Sequence, residues 1–162
     1  MPICTWALIE LVRDPSLLQA VRGEVSNSYA IDPETGEIRL DPHKLIEGPL
    51  LQAVYIEVMR IHISLNVTRE VLQPITIGQY HIAKGSIVQT VSQIAHFEDS
   101  VWSVEGHPAS EFWPWRHIKN VETEDKTEAG KTRREFFMRG RPSSFFPYGK
   151  LSLNPIYPIF AL

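Results

Sequence analysis

Residues 50–62, LLQAVYIEVMRIH, constrain this chain more than any other stretch. Leu51, Val54, Tyr55, Val58 and Ile61 or His62 recur at helical spacing and predict an apolar stripe on one helix. Gly48-Pro49 starts that helix, with proline at its first position. Glu57 and Arg60 stand three apart and therefore share a face. On a solvated helix this would be a surface ion pair worth roughly a few tenths of a kcal/mol. The apolar flanks leave little of this helix exposed, so the pair is predicted to be buried. A buried guanidinium has five donors to satisfy and needs more than one carboxylate. Phe112-Trp113-Pro114-Trp115-Arg116 holds a second guanidinium among Trp and Pro, where an unpaired charge is expensive. A Glu57–Arg60–Arg116 cluster, one carboxylate against two guanidinia, is the expected result. It would fix the coil around residue 116 onto the helix.

The rest of the chain divides by pattern. Ile3 to Arg13 reads as a largely buried helix, with Trp6, Leu8, Ile9, Leu11 and Val12. Asp14-Pro15 starts a second helix, Asp as N-cap and Pro at the first position, carrying Leu17, Leu18, Val21 and Val25. Residues 31–39, IDPETGEIR, read as a solvent-side connection with turn chemistry. Asp41-Pro42 starts a short helix to about Glu47. After Ser64 come short strand-like pieces at 66–71, 75–78, 79–83 and 86–91, separated by Pro74, Gly78 and Lys84-Gly85. A helical turn is expected at 92–97, an irregular Trp- and Pro-rich coil at 98–118, and a charged, solvated insertion at 121–135. The fold class is mainly α with a small β region.

Composition excludes several functions. A net charge of −3 argues against a nucleic-acid footprint. No run approaches the roughly 20 apolar residues of a membrane span. The start, MPICTWALIELVRD, lacks the basic opening of a signal peptide and carries Glu10 and Arg13. The single cysteine, Cys4, excludes a disulfide framework and a Cys-cluster zinc site, and in its apolar segment reads as a small core hydrophobe. His62, His81, His96, His107 and His117 show no paired ligand spacing, so no metal site is expected. Asn66-Val67-Thr68 fits a glycosylation acceptor but falls in a predicted strand.

Five patterns then stand in order. They are Glu57-x-x-Arg60, Ile82-x-Lys84-Gly85-Ser86-x-Val88, His96-x-x-Asp99-x-x-Trp102, Phe112-x-Pro114-x-Arg116 and Phe146-Pro147-Tyr148-Gly149. Together they resemble the C-terminal part of a cytochrome P-450, closest to fungal microsomal members. TWALIELVRDPSLLQAVRGEV resembles the end of that family's long central helix and the helix after it. The resemblance runs from the start to about Gly149, making 1–149 a partial cytochrome P-450 domain and 150–162 a divergent tail.

The resemblance implies roles. Glu57, Arg60 and Arg116 match the structural cluster that holds the core near the haem. Arg69, by itself a strand-edge cation, resembles a position whose guanidinium contacts a haem propionate. Phe146 and Gly149 match the entry to the haem-binding loop, where an aromatic packs on the porphyrin and glycine permits a tight turn. Thr5 lies near the end of the oxygen-handling helix, but without that helix's acid–threonine pair it reads as a helix-wall residue. His96 matches a position outside iron coordination. The family's axial cysteine, whose thiolate drives O–O cleavage, is absent after Gly149, where KLSLNPIYPIFAL follows.

The intact family uses haem, O2 and electrons from an NADPH-dependent reductase to hydroxylate a small apolar substrate at the endoplasmic reticulum membrane. This chain is expected to be an inactive fragment of such an enzyme, without stable haem and, lacking an anchor, cytoplasmic if made. A truncated gene model, splice form or pseudogene would account for the change of character at Lys150. Two alternatives stand beside it: a non-catalytic interaction module that has lost haem, and an unrelated α+β protein whose motifs are accidental.

Overall fold

A computed structural model of the chain describes residues 2–122, 132–140 and 144–147. Helix α1 spans Ile3–Arg13 and α2 spans Pro15–Ser26. Asp14 separates them because its carboxylate caps α2: Oδ1 accepts from the Ser16 and Leu17 backbone N–H groups at 2.9 and 3.0 Å. Asp14→Ala should therefore lower stability by about 1 kcal/mol and Asp14→Asn by less. Equal urea midpoints for the two variants would contradict this.

Strands β1 (Tyr29–Ile31) and β2 (Ile38–Leu40) pair antiparallel, Ala30 opposite Arg39. The expected solvent-side connection is thus a hairpin. Asp32 Oδ1 accepts from the Glu34 and Thr35 N–H groups at 2.9 and 3.2 Å, which folds the turn and brings two short strands together. Helix α3 (Pro42–Ile46) follows, capped by Asp41, and then α4, Pro49–His62.

Helix α4 is the centre of the fold. Leu50, Val54 and Val58 pack with Leu11 of α1 and with Leu17 and Val21 of α2. Its N-terminus is capped from a distance: the Glu24 carboxylate of α2 accepts from the Leu50 and Leu51 N–H groups at 3.1 and 2.7 Å. Gly48 permits that approach, since a Cβ there would stand 2.8 Å from Glu24 Oε2.

The buried stripe of α4 differs from the expected one. Leu50, Ala53, Val54, Glu57, Val58, Met59 and Arg60 are buried, whereas Leu51 is half-buried and Tyr55 is 46% exposed. Placing the charged pair inward rotates the helix away from Tyr55. Helix α1 departs too. Its core side carries Ile3, Trp6, Ala7 and Leu11, so Cys4, Leu8 and Val12, spaced by four, fall on the outward face. Cys4 is exposed, not a core residue.

Strands β3 (Asn66–Glu70) and β6 (Ile87–Val91) pair antiparallel around the hairpin of β4 (Ile75–Ile77) and β5 (Tyr80–Ile82). Thr68 of the acceptor-like Asn66-Val67-Thr68 lies within β3. The helical turn expected at 92–97 is α5 (Ser92–His96), and the stretch expected as irregular coil begins with α6 (Asp99–Trp102) and contains a 3-10 turn at Pro114–His117. Asp99 Oδ1 accepts from the Ala109 N–H at 2.9 Å, and Trp102 Nε1 donates to the Ala95 carbonyl at 2.8 Å. These side chain–backbone bonds order a segment that has no apolar period to announce it.

Strands β7 (Ile118–Glu122) and β8 (Thr132–Phe136) form an antiparallel pair that overlaps both ends of the charged insertion expected at 121–135. Its charges bond across the pair and onto the body: Lys119 to Glu135 at 3.1 Å, and Arg134 over the Trp115 ring at 5.0 Å. Residues 123–131, Tyr148, Gly149 and the tail 150–162 lie outside the described residues. Among the described residues no helix is long and apolar enough to cross a membrane.

Candidate functional site

The site is built on the inward face of α4. Glu57 and Arg60 are both fully buried. Glu57 Oε1 accepts from Arg60 Nη2 (2.8 Å), Arg116 Nε (2.8 Å) and the Trp113 backbone N–H (2.9 Å). Its Oε2 accepts from Arg60 Nε at 2.8 Å and faces His117 Nε2 at 3.2 Å. Burial by itself pushes this carboxyl up. Arg60 first, then His117 and Arg116, outweigh it and hold the group at about 2.

Each guanidinium is satisfied by backbone as well as by Glu57. Arg60 gives Nη1 to the His96 and Ala109 carbonyls, both at 2.6 Å, and Nη2 to the Glu111 carbonyl at 3.2 Å. With its two bonds to Glu57 this accounts for all five donors. Its face lies against the Phe97 and Trp102 rings, 5.8 and 5.3 Å from their centroids. Arg116 gives Nη1 to the Trp102 carbonyl and Nη2 to those of Pro108 and Glu111, at 3.2 and 2.9 Å. One carboxylate against two guanidinia leaves a positive excess. The carbonyls of residues 102–111 face it, which wraps that segment around the pair.

Sequence reasoning missed two members. His117 follows Arg116 directly and reaches Glu57 from the same 3-10 turn. His96, on α5, faces the Arg60 carbonyl through Nδ1 at 3.1 Å, and its Nε2 accepts from the Phe146 N–H at 3.2 Å. Both rings are fully buried. The available signal was the run Trp-Arg-His itself: a histidine beside a buried arginine, on a turn that points successive residues inward. The other histidines sit apart. His62 stacks on Trp6 at 4.1 Å and pairs with Glu10 at 2.9 Å, His81 bonds Thr76, and His107 stacks on Trp113 at 3.7 Å.

Of the remaining expected residues, Arg69 and Thr5 lie outside the cluster, Phe146 meets it at His96, and Gly149 is not among the described residues. Arg69 is exposed on β3 and donates through Nη1 to the Thr68 carbonyl at 3.1 Å. Thr5 is half-buried on α1. Phe146 is half-buried with its ring 5.6 Å from His96.

Residues 3–127 match the family model described as Cytochrome P450. The chain belongs to the cytochrome P450 family. It is 48% identical over 149 residues to a cytochrome P450 monooxygenase, calL, of Penicillium decumbens, covering 92% of this chain and 26% of that protein. Human steroid 21-hydroxylase is 26% identical over 117 residues, 71% of this chain and 22% of the enzyme. A zebrafish cytochrome P450 structure described with progesterone superposes with a TM-score of 0.55 at 26% identity, covering 70% of this chain and 25% of that one. The chain thus spans about a quarter of the length of these relatives. The mainly α architecture with small sheets is a partial cytochrome P450 fold.

Intact cytochromes P450 carry haem, and the donors present fit it in part. An exposed guanidinium at Arg69 suits a propionate. His96 and His117 each have both ring nitrogens engaged by protein groups, and Cys4 lies exposed on α1. Among the described residues no three His, Cys, Asp or Glu side chains gather as a metal site.

The cluster has a pH signature. Burial pushes both His96 and His117 below the usual 6.5. As pH falls below about 6.5 the unfolded chain therefore takes up protons that the folded chain refuses, so stability is complete above that pH and lost as it drops through the folded values. Glu57, lowered from 4.5 to about 2, adds a second loss between those values. The urea midpoint should be flat above about pH 7 and fall in both windows. A midpoint that rises as pH drops through 6 would contradict the neutral, buried assignment.

Proposed function

We propose that this chain is the ion-pair core segment of a haem-thiolate monooxygenase. The enzyme would use O2 and electrons relayed from NADPH by a reductase to hydroxylate a small apolar substrate. What carries the reading is the closed Glu57–Arg60–Arg116 cluster, reached by motifs in family order. In it Glu57, Arg60 and Arg116 hold the coil of residues 102–116 against α4. Arg69 would hold a haem propionate. Phe146, and Gly149 beyond the described residues, would lead into the haem-binding loop. Haem, when bound, supplies the oxygen-activating chemistry through a thiolate-ligated iron.

The only cysteine of the sequence is exposed on α1, and neither buried histidine has a nitrogen to give. A thiolate for the iron would come from a residue outside this sequence, and the 162-residue chain by itself is proposed to be inactive. The intact enzyme would act at the endoplasmic reticulum membrane.

A chimera tests this. Residues 3–147 replace the matching stretch of the Penicillium decumbens relative, which keeps its own remaining chain. The expected product binds haem and shows the thiolate-type difference spectrum with carbon monoxide, lost on Arg116→Ala. A chimera that folds but takes up no haem would overturn the reading.

A further inference from the structure

Two buried histidines connect the ion pair to the chain that follows β8. We propose that His96 and His117 are positioning residues, held in opposite tautomers, that hang Phe146 and Arg139 on Arg60 and Glu57. A backbone N–H only donates, so the Phe146 N–H at 3.2 Å requires a bare Nε2 on His96. A neutral ring then carries its proton on Nδ1, which points at the Arg60 carbonyl at 3.1 Å. That carbonyl belongs to the last turn of α4, where carbonyls have no partner within the helix. Arg60 answers by giving Nη1 to the His96 carbonyl at 2.6 Å, so the two residues hold each other.

His117 is arranged the other way round. The Arg139 N–H donates to its Nδ1 at 3.2 Å. Its proton therefore sits on Nε2, directed at Glu57 Oε2, an ionised oxygen that can only accept. One histidine thus joins the arginine of the pair to Phe146, and the other joins the carboxylate to Arg139.

No charged side chain can replace either ring, because each bridge needs a donor at one end and an acceptor at the other. Lys and Arg have no acceptor, and an ionised carboxylate has no donor. Both rings are held by packing. His96 lies against Phe145 and Phe146, at 5.4 and 5.6 Å between centroids, and His117 against Trp102 and Phe136, at 6.1 and 6.2 Å. Both are fully buried, so water cannot take over a lost bond. Arg139 also gives Nη2 to the Ser103 carbonyl at 2.9 Å, which ties the same segment to the end of α6. The position of Phe146 is therefore set from α4 through His96, and that of Arg139 through His117. What the position of Phe146 serves, the approach to a haem edge, rests on the monooxygenase reading. The tautomers and the bonds do not.

The test uses the 162-residue chain labelled with nitrogen-15. Long-range proton–nitrogen correlation of the imidazoles should show a protonated Nδ1 on His96 and a protonated Nε2 on His117. Finding the same tautomer on both overturns the proposal, and this readout needs no variant. Amide exchange then separates the bridges, with the Val58 and Met59 amides of α4 reporting global opening. His96→Asn, whose amide reaches only the Nδ1 position, should speed Phe146 exchange about 10-fold and leave Arg139 unchanged. His96→Gln, which places a carbonyl near the Nε2 position, should keep Phe146 slow. His117 should show the reverse: Gln frees the Arg139 amide and Asn keeps it protected. If both amides quicken together in all four variants, the histidines merely fill space and the proposal fails. None of these measurements involves haem, so they stand or fall apart from the chimera's spectrum.

Discussion

Replacing Glu57 by Ala should lower the stability of the chain by about 3–5 kcal/mol, the usual result of removing one partner from a buried charge pair. The cost arises less from the lost attraction than from what remains. Arg60 and Arg116 would face each other, both fully enclosed, with no anion between them. His117 would lose the acceptor for Nε2, and the Trp113 N–H would be left buried without its partner. Glu57→Gln is the informative companion. It keeps one carbonyl acceptor but places an NH2 where a guanidinium or imidazole N–H now points, so it should recover only part of the loss. Arg116→Ala should cost less than Glu57→Ala, because Arg60 still compensates the carboxylate. Urea denaturation of the three variants checks the order. Changes under about 1 kcal/mol in both alanine variants would mean that the cluster is solvated and not a core element.

Gly140→Ala should be the largest effect from a single methyl group, roughly 2–5 kcal/mol from overpacking together with a disfavoured backbone. Gly140 has φ +109°, a region that a residue with a Cβ rarely adopts. The added Cβ would also stand 2.5 Å from Trp102 Cη2 and 2.9 Å from Cζ2. That ring cannot yield cheaply. It is fully buried, tied through Nε1 to the Ala95 carbonyl, and lies under the Arg60 guanidinium. A double-mutant cycle with Trp102→Phe separates the two causes. Shortening the ring removes the contact and leaves the backbone term, so Gly140→Ala should cost only about 1–2 kcal/mol in that background. An equal loss in both backgrounds would assign the whole effect to the backbone.

These two predictions differ in how visible their causes are in the sequence. Glu57, Arg60 and Arg116 group on sequence grounds, because a charged pair in an apolar helix and an arginine among Trp and Pro each lack a partner locally. Nothing local marks Gly140 as sitting under Trp102, far back along the chain. The same contrast runs through the fold. The starts of α2, α3 and α4 are legible from Asp-Pro and Gly-Pro pairs, because capping and a fixed proline φ act within one turn. Strands β3 to β6 are legible for the same reason, from β-branched runs broken by glycine and proline, whereas β1, β2, β7 and β8 lie where a connection, a coil and a charged insertion were expected.

Other features come only from parts of the chain that are distant in sequence. The face that α4 buries is set by the three-dimensional demand of its own charges, which turns Tyr55 outward although its spacing suits the stripe. Leu8 and Val12 fall outside the core because α1 has one side to present to α4 and fills it with Trp6, Ala7 and Leu11. The N-terminal cap of α4 comes from Glu24, and the order within 98–118 comes from carbonyls gathered on Arg60 and Arg116. Sequence determined where α2, α3 and α4 begin, which charges needed burial partners and which family pattern they follow, because those depend on short-range geometry and on charges that cannot stay unpaired. Tertiary structure alone decided which groups became the partners, including two histidines, because hydrogen bonds are specific over about 3 Å and carry no trace in the spacing of residues far apart along the chain.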